Sequence, residues 1–545
     1  MHYVKSIRHI MHHIPLAIVF TFLLASTYRF LSINFFSSFA DAAGYVSLLD
    51  AIRSGSGMVS PAYNTPTWML GKVGADTPIY DWCQFPPVNR FVNFSQWHPF
   101  LNLFLIGKIS SLLHVSSLSI LAFLVSISYL VIPFGAYLYL SNKGFSKKVS
   151  VLVSVVCFCT PSVFNGLSGQ IQADRLFTGF GFLLTLMVFD YSKKPSKSAL
   201  LLISGVVVYS MTISERAAIY VILILLCGAI GPIERVIDTV RIRVKIDFTL
   251  LSLSLIPTVY YLVWDLKIQK SEYYSRGSFD YFYNNLTQSF TIIPYKTGLF
   301  LFSIIFFVCS SFFHARALIL VIGAITPQFL WSTMGGEKVD FSGQYHAGYI
   351  GIVVAAGLWS LGNSRGNIKR NFRKSILLSS LYSFLIGILL LSPFWIKNSQ
   401  NGYEANYPVM RFFDFRRVDD VLGLNEGLNG NLKAEKIKRV DFVREIPIKS
   451  WISTPEFLWP SLVYTEHRNL DYFPFGLRED DYFILKRSKE GENLQLLPPW
   501  LEYSYPDGDI GHSKISACAR GIVIKSKIVK SEEFGDVYDL YKSNK

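Results

Sequence analysis

Three acidic residues beside apolar segments have side chains that could do chemistry at a membrane surface. Glu215 interrupts an apolar run that extends over residues 199–230. Asp41 follows the first apolar run, and Asp174 directly precedes a later one. An ionised carboxylate beside apolar segments is costly unless it is paired or solvated, and such residues usually serve a function. In this setting a carboxylate can deprotonate an acceptor hydroxyl or hold a divalent cation. We therefore treat Asp41, Asp174 and Glu215 as candidate catalytic residues.

Each acid also has a structural interpretation. Glu215 and Arg216 could form a solvated pair in a turn between two helices, and Asp41 and Asp174 could be N-caps of the helices that follow them. The apolar segments flanking Glu215 are only about 15 residues each, or about 22 Å of helix, against about 30 Å of hydrocarbon. Their connecting turn is therefore expected to be recessed into the membrane, which favours a functional role for Glu215.

Cationic and polar residues close to the acids in sequence are predicted to bind the substrate. A departing phosphate needs positive charge nearby. Arg29, near the end of the first apolar run, is costly in lipid unless it meets an anion. A single histidine at a helix end can also be purely structural, so the two histidines of this set remain open to both interpretations. The predicted substrate-binding residues are Arg29, His98, Gln172, Arg175, Lys338, Gln344 and His346.

The composition predicts a membrane protein. Of 545 residues, 51% are hydrophobic and 17% are charged, and the mean hydropathy is +0.34, which is too apolar for a soluble globular protein of this length. The apolar runs predict an all-α polytopic membrane domain of about 11 transmembrane helices over residues 1–396. Residues 397–545 are predicted to form a small extracytoplasmic α/β domain, with strands near 450–453, 471–473 and 482–486.

The distribution of basic residues predicts the orientation. The net charge of +14 lies largely in short loops, where it sets topology rather than indicating a nucleic-acid partner. Lys143, Lys193 and Arg316 fall in alternate loops, which are predicted to be cytoplasmic together with the N-terminus. The protein is thus expected to be a multi-pass protein of the cell membrane with its C-terminal domain outside. Two stretches of the first outer loop, one just after Asp41 and one over residues 99–114, are predicted to be interfacial helices.

The cysteines and the short motifs indicate which kinds of disulfide and functional site the sequence could form. Cys83 and Cys518 fall in segments predicted to lie outside the cytoplasm, where a disulfide between them would be chemically allowed. The other four cysteines lie in apolar runs, where cysteine behaves as a small buried hydrophobe. Zinc-ligand spacings, phosphate-binding glycine loops and nucleophile-elbow motifs are absent from the sequence, so it offers no motif for those kinds of site.

Four segments of the sequence carry a family resemblance. The segments FADAAGYVSLLDAI, NFSQWHPFLNLFLIGKI, ISERAAIYVILILL and GQYHAGYIGIVVAAG resemble motifs of domain-of-unknown-function family 2079, a group of predicted membrane proteins. The C-terminal stretch IPIKSWISTPEFLWPSLVYTEHRNLDYFPFG resembles that family's terminal domain. The order of these elements is similar to that of the GT-C superfamily of membrane glycosyltransferases.

The resemblance implies a function and roles for the acids. It implies a GT-C-like fold and transfer of a sugar from a polyprenyl-phosphate-linked donor to an acceptor on the outer face, in contact with membrane lipids. Asp41 would be the base or a metal ligand, supported by Asp174 or Glu215. The chain departs from the family in keeping only the acid of a His-Pro-acid triplet, at Asp174, and in lacking a second acid after Asp41. These departures weigh against a metal site built on paired acids, so the sequence leaves a divalent metal cofactor undetermined.

Two other functions remain open from the sequence. A transporter or lipid flippase would need polar residues deep in several helices, whereas the candidate residues are predicted to gather on one face. A non-catalytic scaffold for cell-envelope assembly would tolerate removal of all three acids.

Overall fold

The structure is a computed structural model. The described residues are 16–29, 31–32, 40–55, 59–60, 92–93, 101–160, 163, 171–230, 246–269, 304–331, 347–364, 437–454, 458–467, 470–471, 473, 481–487, 494–495, 510–534 and 536–543. The chain divides into two compact units. The helical unit comprises Met1–Leu31, His98–Asn102 and Ser119–Val418, and the α/β unit comprises Ser32–Trp97, Leu103–Leu118 and Asp419–Lys545. The predicted domain boundary at residues 396–397 lies outside the described residues.

The N-terminal two thirds of the chain is predominantly helical. Its described elements are α1 (Leu16–Arg29), α2 (Ala40–Arg53), β1 (Val59–Ser60), β2 (Val92–Asn93), α3 (Leu101–Leu112), α4 (Ser117–Asn142), α5 (Lys147–Cys159), α6 (Leu176–Tyr191), α7 (Lys197–Met211), α8 (Glu215–Ala229), α9 (Phe248–Gln269), α10 (Ile305–Ser311), α11 (Ala315–Trp331) and α12 (Ala347–Asn363). A 3₁₀ turn, Ala173–Arg175, directly precedes α6.

The C-terminal part of the chain alternates short helices with strands. Its described elements are α13 (437–444), β3 (Ile452–Ser453), α14 (Trp459–Tyr464), β4 (Leu470–Asp471), β5 (Tyr482–Arg487), β6 (Leu494–Gln495), α15 (Ile510–Lys525), β7 (Lys527–Phe534) and β8 (Asp536–Lys542).

The prediction of about 11 transmembrane helices is wrong. Within the described ranges, α4 is the one helix long and apolar enough to cross a membrane, with 26 residues. The other apolar helical segments there, including Phe248–Val263 within α9, have 10–17 residues, or about 15–26 Å, which is less than about 30 Å of hydrocarbon. The physical reason is that an apolar run does not distinguish a helix facing lipid from a helix that is apolar because other helices surround it.

Two glycines allow the central helices of the helical unit to approach closely. A Cβ atom at Gly351 of α12 would overlap the carbonyl oxygen of Thr178 in α6. A Cβ atom at Gly179 of α6 would overlap the backbone of Ser128 in α4. Because backbone atoms cannot move aside as a flexible side chain can, α4, α6 and α12 keep their crossings only with glycine at these positions.

One end of the helical unit is closed by a network around Asp190 and Trp359, which we call the Trp359 end. The Asp190 carboxylate accepts hydrogen bonds from Lys143 Nζ at 3.1 Å, from Trp359 Nε1 at 3.0 Å and from the Tyr139 hydroxyl at 3.3 Å. Asn363 Nδ2 in turn donates to the Tyr139 hydroxyl at 3.2 Å. A carboxylate with several donors is well compensated for its partial burial, so this network ties α4, α6 and α12 together.

A buried arginine extends the same network to α11. Arg316 is 4% exposed; its guanidinium donates to the Ser192 hydroxyl and, at 3.2 Å, to the Phe189 carbonyl oxygen. The guanidinium carbon also lies 4.2 Å from the centre of the Trp359 ring. A cation at the last turn of α6 is favoured by the helix dipole, and its contact with an aromatic face adds a cation–π interaction.

The turn before α11 places His314 against the same ring. The His314 and Trp359 rings lie 4.9 Å apart in an edge-on arrangement, and His314 Nδ1 is 2.9 Å from the Ser360 hydroxyl. Burial, followed by the positive charges of Lys193 and Arg316, lowers the pKa of His314 to about 4. The imidazole is therefore neutral at physiological pH.

The described strands of the α/β unit form a mixed sheet. Their order is β4-β3-β5-β8-β7, with β6 paired to β5; β3 runs parallel to β4 and β5, and β8 runs antiparallel to β5 and β7. The strand predicted over 482–486 is confirmed at β5, whereas β3 and β4 have two residues each and overlap only part of the strands predicted over 450–453 and 471–473. Stacked Phe473, Phe483 and Tyr541 rings form part of its core, with adjacent centroids 4.7–4.8 Å apart.

The two predicted interfacial helices differ in their burial. Residues 42–49 of α2 are all buried, and α2 packs against α14 in the α/β unit, so the interfacial interpretation of this helix is wrong. Its apolar residues form protein core because α14, far away in the sequence, covers them. In α3, by contrast, one face is buried while Phe104, Leu105 and Leu112 are exposed, as expected for a helix at an apolar–polar boundary.

Candidate functional site

Three helices of the helical unit begin next to one another, and we call this region the acid end. The Phe177 ring of α6 stacks on the Tyr220 ring of α8 with centroids 6.1 Å apart. Gly348 of α12 leaves room for the same Tyr220 ring, since a Cβ there would lie 2.7 Å from it. The first turns of α6, α8 and α12 thus meet at the opposite end of α6 and α12 from Trp359.

The 3₁₀ turn before α6 contains Asp174 and Arg175, and Gln172 is the N-cap residue that directly precedes it. Gln172 and Arg175 are buried, with 3% and 2% of their surface exposed, and Asp174 is half-buried. The Ser128 hydroxyl fixes this turn to α4, because it lies 2.7 Å from the Leu176 carbonyl oxygen and accepts a hydrogen bond from the Gly179 amide at 2.8 Å. The structure therefore brings Gln172, Asp174 and Arg175 together.

The N-cap interpretation of Asp174 is not supported by the helix geometry. The N-cap position of α6 is occupied by Arg175, and no side chain caps the helix there. Asp174 lies within the 3₁₀ turn itself. Asp41 is the second residue of α2, so that helix begins before it rather than after it.

Glu215 is the first residue of α8. Ser214 is the N-cap of this helix, and its hydroxyl accepts a hydrogen bond from the Ala217 amide at 3.2 Å. The turn that carries Glu215 is buried rather than solvated: Ile213 is 0% and Ser214 is 3% exposed. The Asn102 amide also donates to the Thr212 carbonyl oxygen at 3.3 Å. These contacts agree with a recessed turn; the Glu215 side chain itself is not among those described.

The electrostatics of the acid end favour anionic groups. A helix start carries roughly half a positive charge from its aligned peptide dipoles, and the starts of α6, α8 and α12 lie together here. Acids near a helix start gain about 0.3–1 kcal/mol, and phosphates bind at the same kind of position through backbone amides. With the buried Arg175 beside them, these helix starts can hold an anionic substrate next to carboxylates.

The remaining predicted residues are placed elsewhere or lie outside the described residues. Arg29 is the last residue of α1 and is exposed. Asp41 belongs to the α/β unit, and its side chain is not described. His98, Lys338, Gln344 and His346 lie outside the described residues; His346 directly precedes α12.

The site contains residues that sequence reasoning missed. Ser128, in the middle of an apolar run, holds the turn of Asp174, and Tyr220 joins the three helix starts. A serine inside a long apolar helix is a signal that could have been used, because its hydroxyl needs a hydrogen-bond partner there. Tyr220 lies five residues after Glu215 in an apolar run, where nothing distinguishes it from a lipid-facing aromatic residue.

Potential metal ligands are not clustered in the part of the chain that the structure describes, since no group of three or more His, Cys, Asp or Glu side chains there could hold a metal ion. The comparisons with known proteins give no family: no protein-family model matches the chain, and no curated protein matches it.

Proposed function

We propose that the protein is a membrane-embedded glycosyltransferase that moves a sugar from a polyprenyl-phosphate-linked donor to an acceptor on the outer face. The observation that carries the proposal is the acid end, where the starts of three helices lie beside Asp174, Arg175 and the backbone of Glu215. A lipid-linked phosphate is anionic, and helix starts with a buried arginine suit such a group.

The proposed reaction assigns a task to each group. The acceptor oxygen forms a bond to the anomeric carbon while the bond from that carbon to the phosphate oxygen breaks. The acceptor proton passes to a carboxylate: Asp41 is the base that the family resemblance implies, and Asp174 is the candidate base within the acid end itself. The electron pair remains on the leaving phosphate. Arg175, with Arg29 as a second candidate, would stabilise that phosphate, and Glu215 and His346 would line the donor pocket.

Exposed apolar side chains support a membrane location for the helical unit. Leu201, Leu255, Val263 and Phe312 are 60–77% exposed. A protein in water rarely exposes large apolar patches, whereas a lipid environment favours them. These exposed side chains support the proposed location of this unit in the cell membrane, and the cytoplasmic N-terminus is proposed from the distribution of basic residues in the loops.

A disulfide supports an extracytoplasmic location for the α/β unit. Cys518 of α15 is buried and disulfide-bonded. Disulfides persist in oxidising compartments and are rare in the cytosol. The sequence allows Cys83 as the partner of Cys518, but Cys83 lies outside the described residues.

Substitution of the proposed base tests the function. We expect Asp41→Asn to lose transfer from polyprenyl-phosphate sugars, measured with purified full-length protein and a panel of radiolabelled donors, while the protein still accumulates in membranes. Asp50→Asn, on the same helix, is the matched control: Asp50 accepts from the Ser117 hydroxyl at 2.6 Å and should affect stability but not transfer. Full activity of Asp41→Asn would remove Asp41 as the base. Unimpaired function of a strain in which Asp41, Asp174 and Glu215 are all neutralised would favour the scaffold instead.

Reporter fusions test the location separately. A fusion after Lys194 should report the cytoplasmic side, and a fusion at the C-terminus should report the opposite side. Both reporters on one side, or recovery of the protein without membranes, would contradict the proposed location whatever the activity.

A further inference from the structure

An open apolar groove runs between α6 and α7. It has a volume of about 550 Å³, and its lining includes Phe180 of α6 and Ser198, Leu201 and Tyr209 of α7. Ser198 and Tyr209 mark its two ends, about 16 Å apart along the helix at 1.5 Å per residue. Leu201 on its wall is 77% exposed. A groove of this length and composition matches an extended hydrocarbon chain rather than a polar ligand.

A glycine in the middle of α7 keeps the groove open. A Cβ atom at Gly205 would have no protein atom within 4 Å, so helix packing does not require glycine there. Glycine inside a helix costs roughly 0.5–1 kcal/mol relative to alanine. The described protein contacts do not explain a glycine at position 205. A bound molecule that occupies the space beside Gly205 would explain it.

The two ends of the groove differ in polarity. The Tyr209 end is closed by aromatic rings, since the Phe180 and Tyr209 centroids lie 4.7 Å apart. The Ser198 end opens at the turn between α6 and α7, where Lys194 and Lys197 are exposed. A bound amphiphile would therefore have its tail towards Tyr209 and an anionic head at the lysines.

We infer that this groove binds one acyl chain of an anionic phospholipid, whose headgroup phosphate lies at Lys194 and Lys197. Charge complementarity selects this occupant over a zwitterionic lipid, because each lysine near a membrane surface favours an anionic headgroup by about fivefold in affinity. The inference rests on the proposed membrane location but not on the proposed sugar transfer. The headgroup position lies near the start of α7. Tyr209 and the Glu215 turn lie near the other end of this helix.

Lipid binding to the purified full-length protein is the direct test. The protein in detergent is titrated with dioleoyl phosphatidylglycerol and with dioleoyl phosphatidylcholine, and retained lipid is counted by native mass spectrometry. We expect one phosphatidylglycerol to be retained with at least about tenfold higher affinity than phosphatidylcholine. Equal retention of the two lipids would overturn the inference. Glycerol phosphate, which has the head without the tail, should not compete; full competition by it would identify a free-phosphate site instead.

Three variants on α7 test where the acyl chain binds. Gly205→Phe fills the groove and should abolish retention, while Gly205→Ala should fold normally because its Cβ has open space. Val208→Phe is the matched control, since Val208 is 48% exposed on the same helix but does not line the groove. Retention that survives Gly205→Phe, or is lost equally in Val208→Phe, would place the lipid elsewhere.

Charge variants test the headgroup position. The double variant Lys194→Gln/Lys197→Gln should reduce the preference for phosphatidylglycerol. The control double variant Lys147→Gln/Lys148→Gln, at exposed lysines that begin α5, should leave this preference unchanged. Lys193 is left intact because it lies 4.7 Å from the Trp359 ring centre. If both double variants lost the preference for phosphatidylglycerol equally, the anionic lipid would be attracted to basic segments in general, and the proposed site would be wrong. A protein found in membranes that retains no lipid would refute this inference while leaving the proposed transferase intact.

Discussion

The two ends of α6 and α12 use acidic residues in different ways. At the Trp359 end, Asp190 accepts hydrogen bonds from a lysine, a tryptophan and a tyrosine side chain, and Arg316 bonds the last turn of α6. At the acid end, Asp174 and Glu215 lie at helix starts, where the backbone itself supplies positive charge.

From this difference we infer that Asp190 contributes to stability, whereas the acids at the acid end contribute to function. The carboxylate of Asp190 joins side chains of neighbouring helices, so its removal should weaken their packing. The turn that carries Asp174 is held by Ser128, and Glu215 is the first residue of α8; we propose that the charge of these two acids serves a substrate. The following predictions test this division, beginning with the largest expected effect.

Neutralising an acid at the acid end should abolish activity without unfolding the protein. Asp174→Asn is expected to reduce sugar transfer by about 10²–10⁴-fold, the usual contribution of a general acid–base group, and to leave thermal unfolding in detergent unchanged. Asp190→Asn is the control from the other end and should do the reverse, with normal transfer per folded molecule. Equal loss of transfer in both variants would remove the distinction between the two ends.

Removing the central ring of the Trp359 end should destabilise the helical unit strongly. Trp359 is 0% exposed, so Trp359→Ala should cost about 3–5 kcal/mol through lost contacts and a cavity. The free energy of unfolding can be measured by denaturant titration in detergent. Phe312→Ala, at a side chain that is 64% exposed, serves as the control and should change it by less than about 0.5 kcal/mol. A cost below about 1 kcal/mol for Trp359→Ala would contradict a structural network here.

Replacing the buried arginine should have an intermediate effect. Arg316→Met removes the hydrogen bonds to Ser192 and Phe189 and the contact with Trp359, for an expected cost of about 2 kcal/mol. Lys193→Met removes a cation–π contact with the Trp359 ring from an exposed side chain and should cost at most about 1 kcal/mol. If the lysine variant were the less stable of the two in the same titration, Arg316 would not be the cation that joins α6 to α11.

Mild acid, at about pH 5.5, should weaken the Trp359 end through His314 by about 1 kcal/mol, the smallest of the four effects. The folded protein holds this histidine neutral down to about pH 4 because burial and the nearby Lys193 and Arg316 lower its pKa, whereas the unfolded chain protonates it near pH 6.5. The unfolded state then binds more protons, so the stability present above pH 6.5 is lost as the pH falls towards 4. His314→Gln should flatten this part of the stability–pH profile; an unchanged slope would assign the acid sensitivity to other groups.

The sequence predicted the features that depend on local pattern. Strands β3 to β5 follow from β-branched and aromatic residues between turn residues. Residues 213 and 214, before Glu215, are buried, but the recession of this turn into a membrane stays a prediction. Lys143, Lys193 and Arg316 lie together at the Trp359 end, and their placement on the cytoplasmic side likewise stays a prediction.

The features that depend on distant partners could not be predicted in this way. The burial of α2 depends on α14, and the network of Asp190 depends on side chains from α4 and α12. The number of membrane-spanning helices was overestimated because apolar residues occur both in protein cores and on lipid-facing surfaces. The side chains of Asp41 and Glu215 lie outside the described part of the chain, so their convergence stays a prediction.

The glycine crossings at Gly179 and Gly351 have a consequence for the ancestry of this protein. A methyl group at either position would collide with the backbone of a neighbouring helix, so mutation there is selected against even where surrounding side chains drift freely. The two positions should remain glycine in homologues that have diverged almost everywhere else. Gly179, Gly351 and the acid Glu215, which begins α8 between them in the chain, together form a sequence pattern that could identify distant relatives.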